Sequence, residues 1–198
     1  YDHEIQGGTA VKPLVGITND GPSDASVIKP IGTTSNAAIV LSNGINPWYG
    51  EVDAYKMTYA VIDEAIRNAV AVGADPQKIS ILDNFCWGDP LNPQTMGSLV
   101  QSIRACYDAA VQFGTPFISG KDSLNNEYYG NDGNKHAIPP SLLISAMGVI
   151  SDVNKTITMD MKTPGNLIYF IGRNQNCFGG SHFTKVTGKS PNMEIPEV

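Results

Sequence analysis

An α+β fold, with one mixed and mostly antiparallel sheet carrying its helices on one face, is what the order of periodic segments predicts. Strand-like runs precede, separate and follow two helical segments, and both helical segments carry capping residues at their ends. No internal repeat interrupts this order. Two helices cover one face, so the other sheet face is left for a partner domain.

The first strand is read over Thr9–Val15, followed by the turn cluster Asn19-Asp20-Gly21-Pro22-Ser23-Asp24. A second strand is expected over Ser26–Ile31 and a buried one over Ala37–Leu41. Ser42 to Gly50 reads as an aromatic-rich loop. Asp53 is a suitable N-cap for a helix whose apolar positions are Met57, Ala60, Val61, Ala65, Ile66, Ala69 and Val70, with Gly73 closing it. Lys78 to Leu82 alternates as a strand. Asn92-Pro93 supplies an N-cap and an N1 proline for a second helix, whose core stripe is expected at Met96, Leu99, Val100, Ile103, Cys106, Tyr107 and Ala110. Gly114 ends it. Thr115–Ser119 is a short strand, and the polar stretch Asn125–Lys135 is a hairpin or flap. Further strands are expected over Ser141–Ile150 and Leu167–Ile171, and beyond residue 172 the polar sequence reads as a linker or the start of another domain.

Composition limits the function classes. Hydrophobic residues are 41% and charged residues 16% of the 198, enough apolar surface to exclude global disorder. The net charge is −6 with no basic block, which argues against a duplex nucleic-acid partner. Phosphate can still be bound locally by backbone N–H groups and metal ions. Three cysteines, Cys86, Cys106 and Cys177, form no CxxC pair and suit a reducing compartment. No apolar run is long enough to cross a bilayer, since Leu142–Ile150 is short and broken by Ser145 and Gly148. The polar start Tyr1-Asp2-His3-Glu4 is no signal peptide, and the Asn154-Lys155-Thr156 sequon has no other secretory feature beside it; a cytoplasmic location is expected. The missing initiator Met and the end at Pro196-Glu197-Val198 read as an excised piece of a longer protein.

Four motifs carry chemistry. Asp24, in Gly21-Pro22-Ser23-Asp24-Ala25, is either an ordinary turn carboxylate or an oxygen ligand for a nucleotide's magnesium. Glu64 and Asn68, one helical turn apart, are either a surface pair or part of a hard-metal site that Asp24 would complete. Asp83 is expected at a strand end, where a carboxylate faces a crevice and can hold a metal or position a phosphate. Cys86 beside it, with no His or basic neighbour, reads as a structural thiol. Ser119-Gly120-Lys121-Asp122-Ser123 fails as a P-loop, because the glycine spacing from Gly114 is wrong and Asp122 replaces the hydroxyl residue. Lys121 and Ser123 nonetheless suit an oxyanion; the alternative is a solvated loop lysine. Trp48, Tyr49, Tyr128 and Tyr129 either stack on a base or pack on the domain, and His3, His136 and His182 read as surface histidines.

Together, Gly7-Gly8-Thr9, Asp20 to Ala25, Leu41 to Pro47, Asp63 to Asn68, Asp83 to Gly88, Ser119 to Glu127, Ile138 to Ala146 and Gly179-Gly180-Ser181 resemble the phosphoribosylformylglycinamidine synthase family. The resemblance covers about residues 6 to 185. It implies the N-type domain of the second synthase half, with an aminoimidazole ribonucleotide synthetase N-terminal-domain-like fold that pairs through its sheet. It implies residues 1–172 as that domain and 173–198 as a linker or the truncated start of the C-type domain, its Gly-Gly-Ser-His stretch being the first strand. It implies Asp24, Glu64 and Asn68 as magnesium ligands; Ser23, Asp83 and Gly120 as contacts to ATP or ADP; and Ser123 as a substrate contact. Lys121 falls where some members carry a metal-binding Asn, so its ammonium can replace a cation. The implied partners are the other synthase domains and a glutaminase domain or subunit, or a second copy of the chain. The implied reaction is ATP-dependent amidation of formylglycinamide ribonucleotide with glutamine as amido donor. Groups essential to it lie elsewhere, so the piece alone is expected to be inactive. The alternatives are a non-catalytic scaffold half holding a structural nucleotide, and a dimerising module without ligand.

Overall fold

The computed structural model describes residues 7–189 and 194–198, so His3 lies outside the described residues. Among the described residues, ten strands and four α-helices follow in chain order. They are β1 (Thr9–Val11), β2 (Leu14–Val15), β3 (Gly21–Pro22), β4 (Ser26–Ile28), β5 (Ala38–Gly44), α1 (Pro47–Val52), α2 (Ala54–Ala71) and β6 (Ser80–Cys86). Then come α3 (Pro93–Phe113), β7 (Phe117–Ser123), β8 (Glu127–Tyr129), β9 (Lys135–Ala137), β10 (Ser141–Ile150) and α4 (His182–Thr187). Six strands are hydrogen-bonded in the order β1-β4-β5-β10-β6-β7; β2-β3 and β8-β9 form separate ribbons. The β1–β4 and β4–β5 pairs are antiparallel and β6–β7 is parallel, so the sheet is mixed as expected.

The chain divides into two compact units. The first holds the residues up to Asn43, Ala65–Ser80 and Ser145–Asn174. In it, Ala38, Val40 and Ser42 of β5 are buried while Leu41 is 43% exposed, and Ala146 and Ile150 of β10 are buried while Met147 and Val149 are 38% and 41% exposed. This is the two-residue period of a sheet with one covered face. Ala65 and Ala69 of α2 are buried here, and the Ser42 hydroxyl donates to the Ala65 carbonyl at 2.7 Å.

The second unit holds Gly44–Glu64, Ile81–Ile144 and Gln175–Val198. Its core takes Met57, Val61 and Ile62 of α2, Ile81 and Phe85 of β6, Trp87, and Leu142 and Ile144 of β10. The buried Thr58 and Ser102 hydroxyls meet at 2.5 Å, joining α2 to α3, and the Tyr55 hydroxyl donates to Asp108 at 2.7 Å. That bond pushes the Tyr55 phenol well above its ordinary range.

The capping residues act as read. Asp53 Oδ1 accepts from the Lys56 N–H at 2.9 Å, and Asn92 Oδ1 accepts from Gln94 and Thr95 at the start of α3. Gly114 closes α3 at φ 69°, the left-handed position that favours glycine.

Several boundaries differ from the sequence reading. The strand expected over Thr9–Val15 is two strands, because Lys12-Pro13 separates them and Pro13 brings no N–H to a ladder. The second strand stops at Ile28, ahead of Pro30. β5 continues to Gly44, and the expected loop then holds α1, capped by Asn46 with Pro47 at its first turn. β6 and β7 support each other by parallel pairing, so β6 runs four residues past Leu82 to Cys86 and β7 reaches Ser123. Asp83 is therefore a mid-strand residue, not a strand-end one. In α3 the buried positions are Leu99, Ser102, Ala105, Cys106 and Ala109. Met96, Val100, Ile103 and Tyr107 of the expected core stripe point outward, with Tyr107 71% exposed; the small residues face inward because they admit closer packing. Leu167–Ile171 forms no strand, its five large side chains being 76–89% exposed with no neighbouring strand among the described residues to take up their N–H and C=O groups. The Gly-Gly-Ser-His stretch leads into α4 rather than a strand, since the Ser181 hydroxyl caps the Thr184 N–H.

Candidate functional site

Each expected site residue has a defined setting. Ser23 and Asp24 form the link between β3 and β4, in the first unit. The Ser23 N–H donates to Pro13 O at 3.1 Å and its hydroxyl to Ala25 O at 2.8 Å, which fixes the turn and leaves the half-buried Asp24 beside it.

Glu64 and Asn68 lie one turn apart on α2, so their side chains project from one helix face. Each is anchored through one atom. Asn68 Nδ2 donates to Asn43 O at 3.0 Å, which orients its carbonyl oxygen as an acceptor on the other side of the amide. Glu64 Oε2 accepts from the Ile45 N–H at 2.9 Å, leaving Oε1 as the second acceptor. Burial holds the Glu64 carboxyl above its ordinary value, the Ile45 bond acting in the opposite sense. Asn43 takes part again, its Oδ1 accepting from the Ser145 hydroxyl at 3.0 Å. These are hard oxygen donors of the kind magnesium takes, with water or phosphate completing the shell. Among the described residues no three His, Cys, Asp or Glu side chains gather into a metal-binding group.

Asp83 and Gly120 are directly opposite one another in the parallel β6–β7 pair. The Asp83 carboxylate occupies the space that a side chain at 120 would fill: a Cβ there would lie 2.6 Å from Asp83 Cγ. Burial, and then the neighbouring Asp122 charge, push the Asp83 carboxyl up, while the Lys121 N–H lowers it. The same carboxylate, together with burial as the larger cause, pushes the Cys106 thiol to about 12, which makes that cysteine inert.

Lys121 and Ser123 alternate with Gly120 and Asp122 along β7, so they belong to the other sheet face. The Lys121 ammonium bonds the Ser123 hydroxyl, and Asn84 and Cys86 are their register partners on β6. The structure thus brings Asp83 to Gly120 and Lys121 to Ser123, and separates these two pairs by the thickness of one strand. Cys86 is half-buried and its thiol faces Asn84 Oδ1 at 3.6 Å.

Of the four aromatics, Trp48, Tyr128 and Tyr129 are exposed, and Tyr128 and Tyr129 lie on β8 rather than in a loop. Trp48 lies under the Lys185 ammonium at 4.9 Å, and Tyr128 stacks on His136 at 5.5 Å. His136 pairs with Asp132 at 2.9 Å, and His182 is exposed at the start of α4.

Sequence reasoning passes over two features. Asn43 and Ile45 orient Asn68 and Glu64 through main-chain groups, which leave no side-chain signature. Glu127 falls inside the stretch expected as a flap, where it is the half-buried first residue of β8 ahead of the exposed Tyr128 and Tyr129.

Residues 22–150 match the family described as AIR synthase related protein, N-terminal domain. A phosphoribosylformylglycinamidine synthase subunit PurL from Thermoplasma acidophilum is 36% identical over 189 residues, covering 95% of this chain and 24% of the relative. Its counterpart from Picrophilus torridus is 35% identical over 187 residues, covering 94% of this chain and again 24% of the relative. The chain thus spans 24% of the length of both curated relatives. Among solved structures, a T. maritima PurL complexed with FGAR is similar at 26% identity and a TM-score of 0.59, over 76% of this chain and 22% of that one. A T. maritima PurL complexed with ATP is similar at 25% identity and a TM-score of 0.58, over 72% and 21%.

Proposed function

The chain belongs to the AIR synthase related proteins, whose N-terminal domain it carries, and from that premise we propose that it is a working part of phosphoribosylformylglycinamidine synthase. In this reading it contributes nucleotide, magnesium and substrate contacts to the ATP-dependent conversion of formylglycinamide ribonucleotide to formylglycinamidine ribonucleotide. The observation that carries the reading is the paired anchoring of Glu64 and Asn68: each side chain is held through one atom and presents one oxygen from the same helix face. Relatives named for this activity across 94–95% of the chain support it.

The chemistry needs no protein nucleophile. The glycinamide carbonyl oxygen attacks the terminal phosphorus of ATP and ADP departs; ammonia then adds to that carbonyl carbon, and inorganic phosphate and a proton leave, giving the amidine. Glutamine, hydrolysed in another domain or subunit, supplies the ammonia. Magnesium would screen the triphosphate charge. Asp24, Glu64 and Asn68 would hold it, Ser23, Asp83 and Gly120 would contact the nucleotide, and Ser123 would bind the substrate, with Lys121 holding the serine hydroxyl. The location is the cytoplasm; no helix among the described residues is long and apolar enough to cross a membrane. The sheet face with Leu41, Met147 and Val149 exposed in the first unit would pair with another synthase domain or a second copy of the chain. Residues beyond about 172 would belong to the next domain of the longer polypeptide or to the linker leading into it. Because other groups complete the site, the chain alone would form no amidine.

A second reading has its own support. Asp83 and Gly120 lie on the opposite sheet face from Ser123, so a nucleotide held at the first pair need not share a site with substrate. The domain would then be a scaffold around a structural nucleotide. Calorimetry of the full-length enzyme with ATP and ADP, with and without magnesium, tests both. Magnesium-dependent binding weakened by Glu64→Gln and Asn68→Ala supports a nucleotide site; unchanged binding in both variants overturns it. Asp24→Ala separates the two readings: loss of turnover per folded molecule supports the working site, whereas lower stability with turnover intact supports the scaffold.

A further inference from the structure

We propose that Glu127 is a positioning residue that locks the β8–β9 hairpin to the loop after β6 and thereby fixes Ser123 for substrate, an inference that rests on the function proposed above. The Glu127 side chain is only 11% exposed. Oε1 accepts from the Asp89 N–H at 3.2 Å, and Oε2 pairs with the Lys135 ammonium across the hairpin. That bond holds the Lys135 ammonium above its ordinary value. The carboxylate therefore joins three segments: β8, which carries it, β9 through Lys135, and the turn at Asp89. A buried carboxylate with one backbone donor and one cation is costly to leave half-satisfied, so the three segments move together or not at all.

The chain between Ser123 and Glu127 is tied to the same loop. The Trp87 N–H donates to Ser123 O at 2.9 Å, Asn125 N–H to Gly88 O at 3.0 Å, and Asn126 N–H to Trp87 O at 3.0 Å. Asn126 Nδ2 bridges Ser123 O at 2.6 Å and Trp87 O at 3.2 Å. The Ser123 main chain is held from one side by Trp87 and from the other by Asn126, and Glu127 ends this ladder. Asn125 sits at φ 60°, a left-handed turn conformation that asparagine tolerates better than most side chains. Releasing Glu127 frees the end of the ladder, and displacement of the Ser123 hydroxyl follows. Glu127 itself touches no reacting group.

The test uses the full-length enzyme with Glu127→Ala, Glu127→Gln, Ser123→Ala and the Glu127→Ala/Ser123→Ala double variant. Ammonia-dependent kinetics give kcat and the KM for formylglycinamide ribonucleotide, and amide hydrogen exchange follows Trp87, Asn125 and Asn126. We expect Glu127→Ala to raise KM about tenfold with kcat little changed and to speed exchange at those three amides. Glu127→Gln, which keeps an acceptor for the Asp89 N–H, recovers most of both. The double variant has the KM of Ser123→Ala alone, because Glu127 acts through that hydroxyl. Unchanged exchange in Glu127→Ala overturns the lock, and additive KM effects in the double variant overturn the route through Ser123. If Ser123→Ala leaves KM unchanged while exchange speeds in Glu127→Ala, the substrate role of Ser123 fails, and the positioning role of Glu127 falls with it.

Discussion

Asp83 and Gly120 act as one feature, since the carboxylate fills the volume of the missing side chain. Gly120→Ala must displace it, and we expect ATP affinity in the full-length enzyme to fall by at least about tenfold, measured by calorimetry. Asp83→Asn should do the reverse to stability. The folded carboxyl lies above its unfolded value, so ionisation opposes folding increasingly as pH rises through that raised range. The Asn variant should therefore melt higher than the wild type at neutral pH, the difference vanishing once pH drops below the ordinary Asp range. Glu64 gives the second pH signature. Its carboxyl is also raised, and a magnesium ligand must be ionised. Magnesium-dependent nucleotide affinity should fall at higher pH than an ordinary glutamate would allow, and Glu64→Gln should flatten that dependence.

At the scale of elements, α3 offers the most direct stability test. Asn92 Oδ1 serves two main-chain donors, so Asn92→Ala should cost about 1 kcal/mol in denaturant unfolding. The Asn-Pro signal at its start is legible in the sequence, as are the Gly114 end and the full length of β10. The same Asn-Pro signal at Asn46-Pro47 marks α1, but the aromatic run around Trp48 and Tyr49 reads more naturally as a loop. The ends of β6 and β7 are hidden because Asp83-Asn84 and Lys121-Asp122 look like turn sequence; the pairing partner that makes them strand lies 37 residues away, as Asp83 to Gly120. Periodicity locates α3 but not its buried side. A stripe of large apolar residues and a stripe of small ones both repeat at helical spacing, and burial follows the small ones. At the site, side-chain candidates are visible, whereas the main-chain groups of Asn43 and Ile45 that aim them are not.

At the scale of the whole molecule, Leu167–Ile171 shows how much of this chain's structure depends on neighbours. The run has the composition of a strand and no strand to join among the described residues. Trypsin should cut the isolated chain first at Lys162 or Arg173, which flank this exposed segment, and should spare both sites in the full-length polypeptide. Equal cleavage in the two contexts would show that the segment stays uncovered. The outward stripe of α3 has a practical corollary. Met96, Val100, Ile103, Tyr107 and Val111 present a continuous greasy seam to solvent. Anyone expressing this stretch as a free-standing reagent should anticipate precipitation, and recolouring that seam with lysine and glutamate is the first remedy to try.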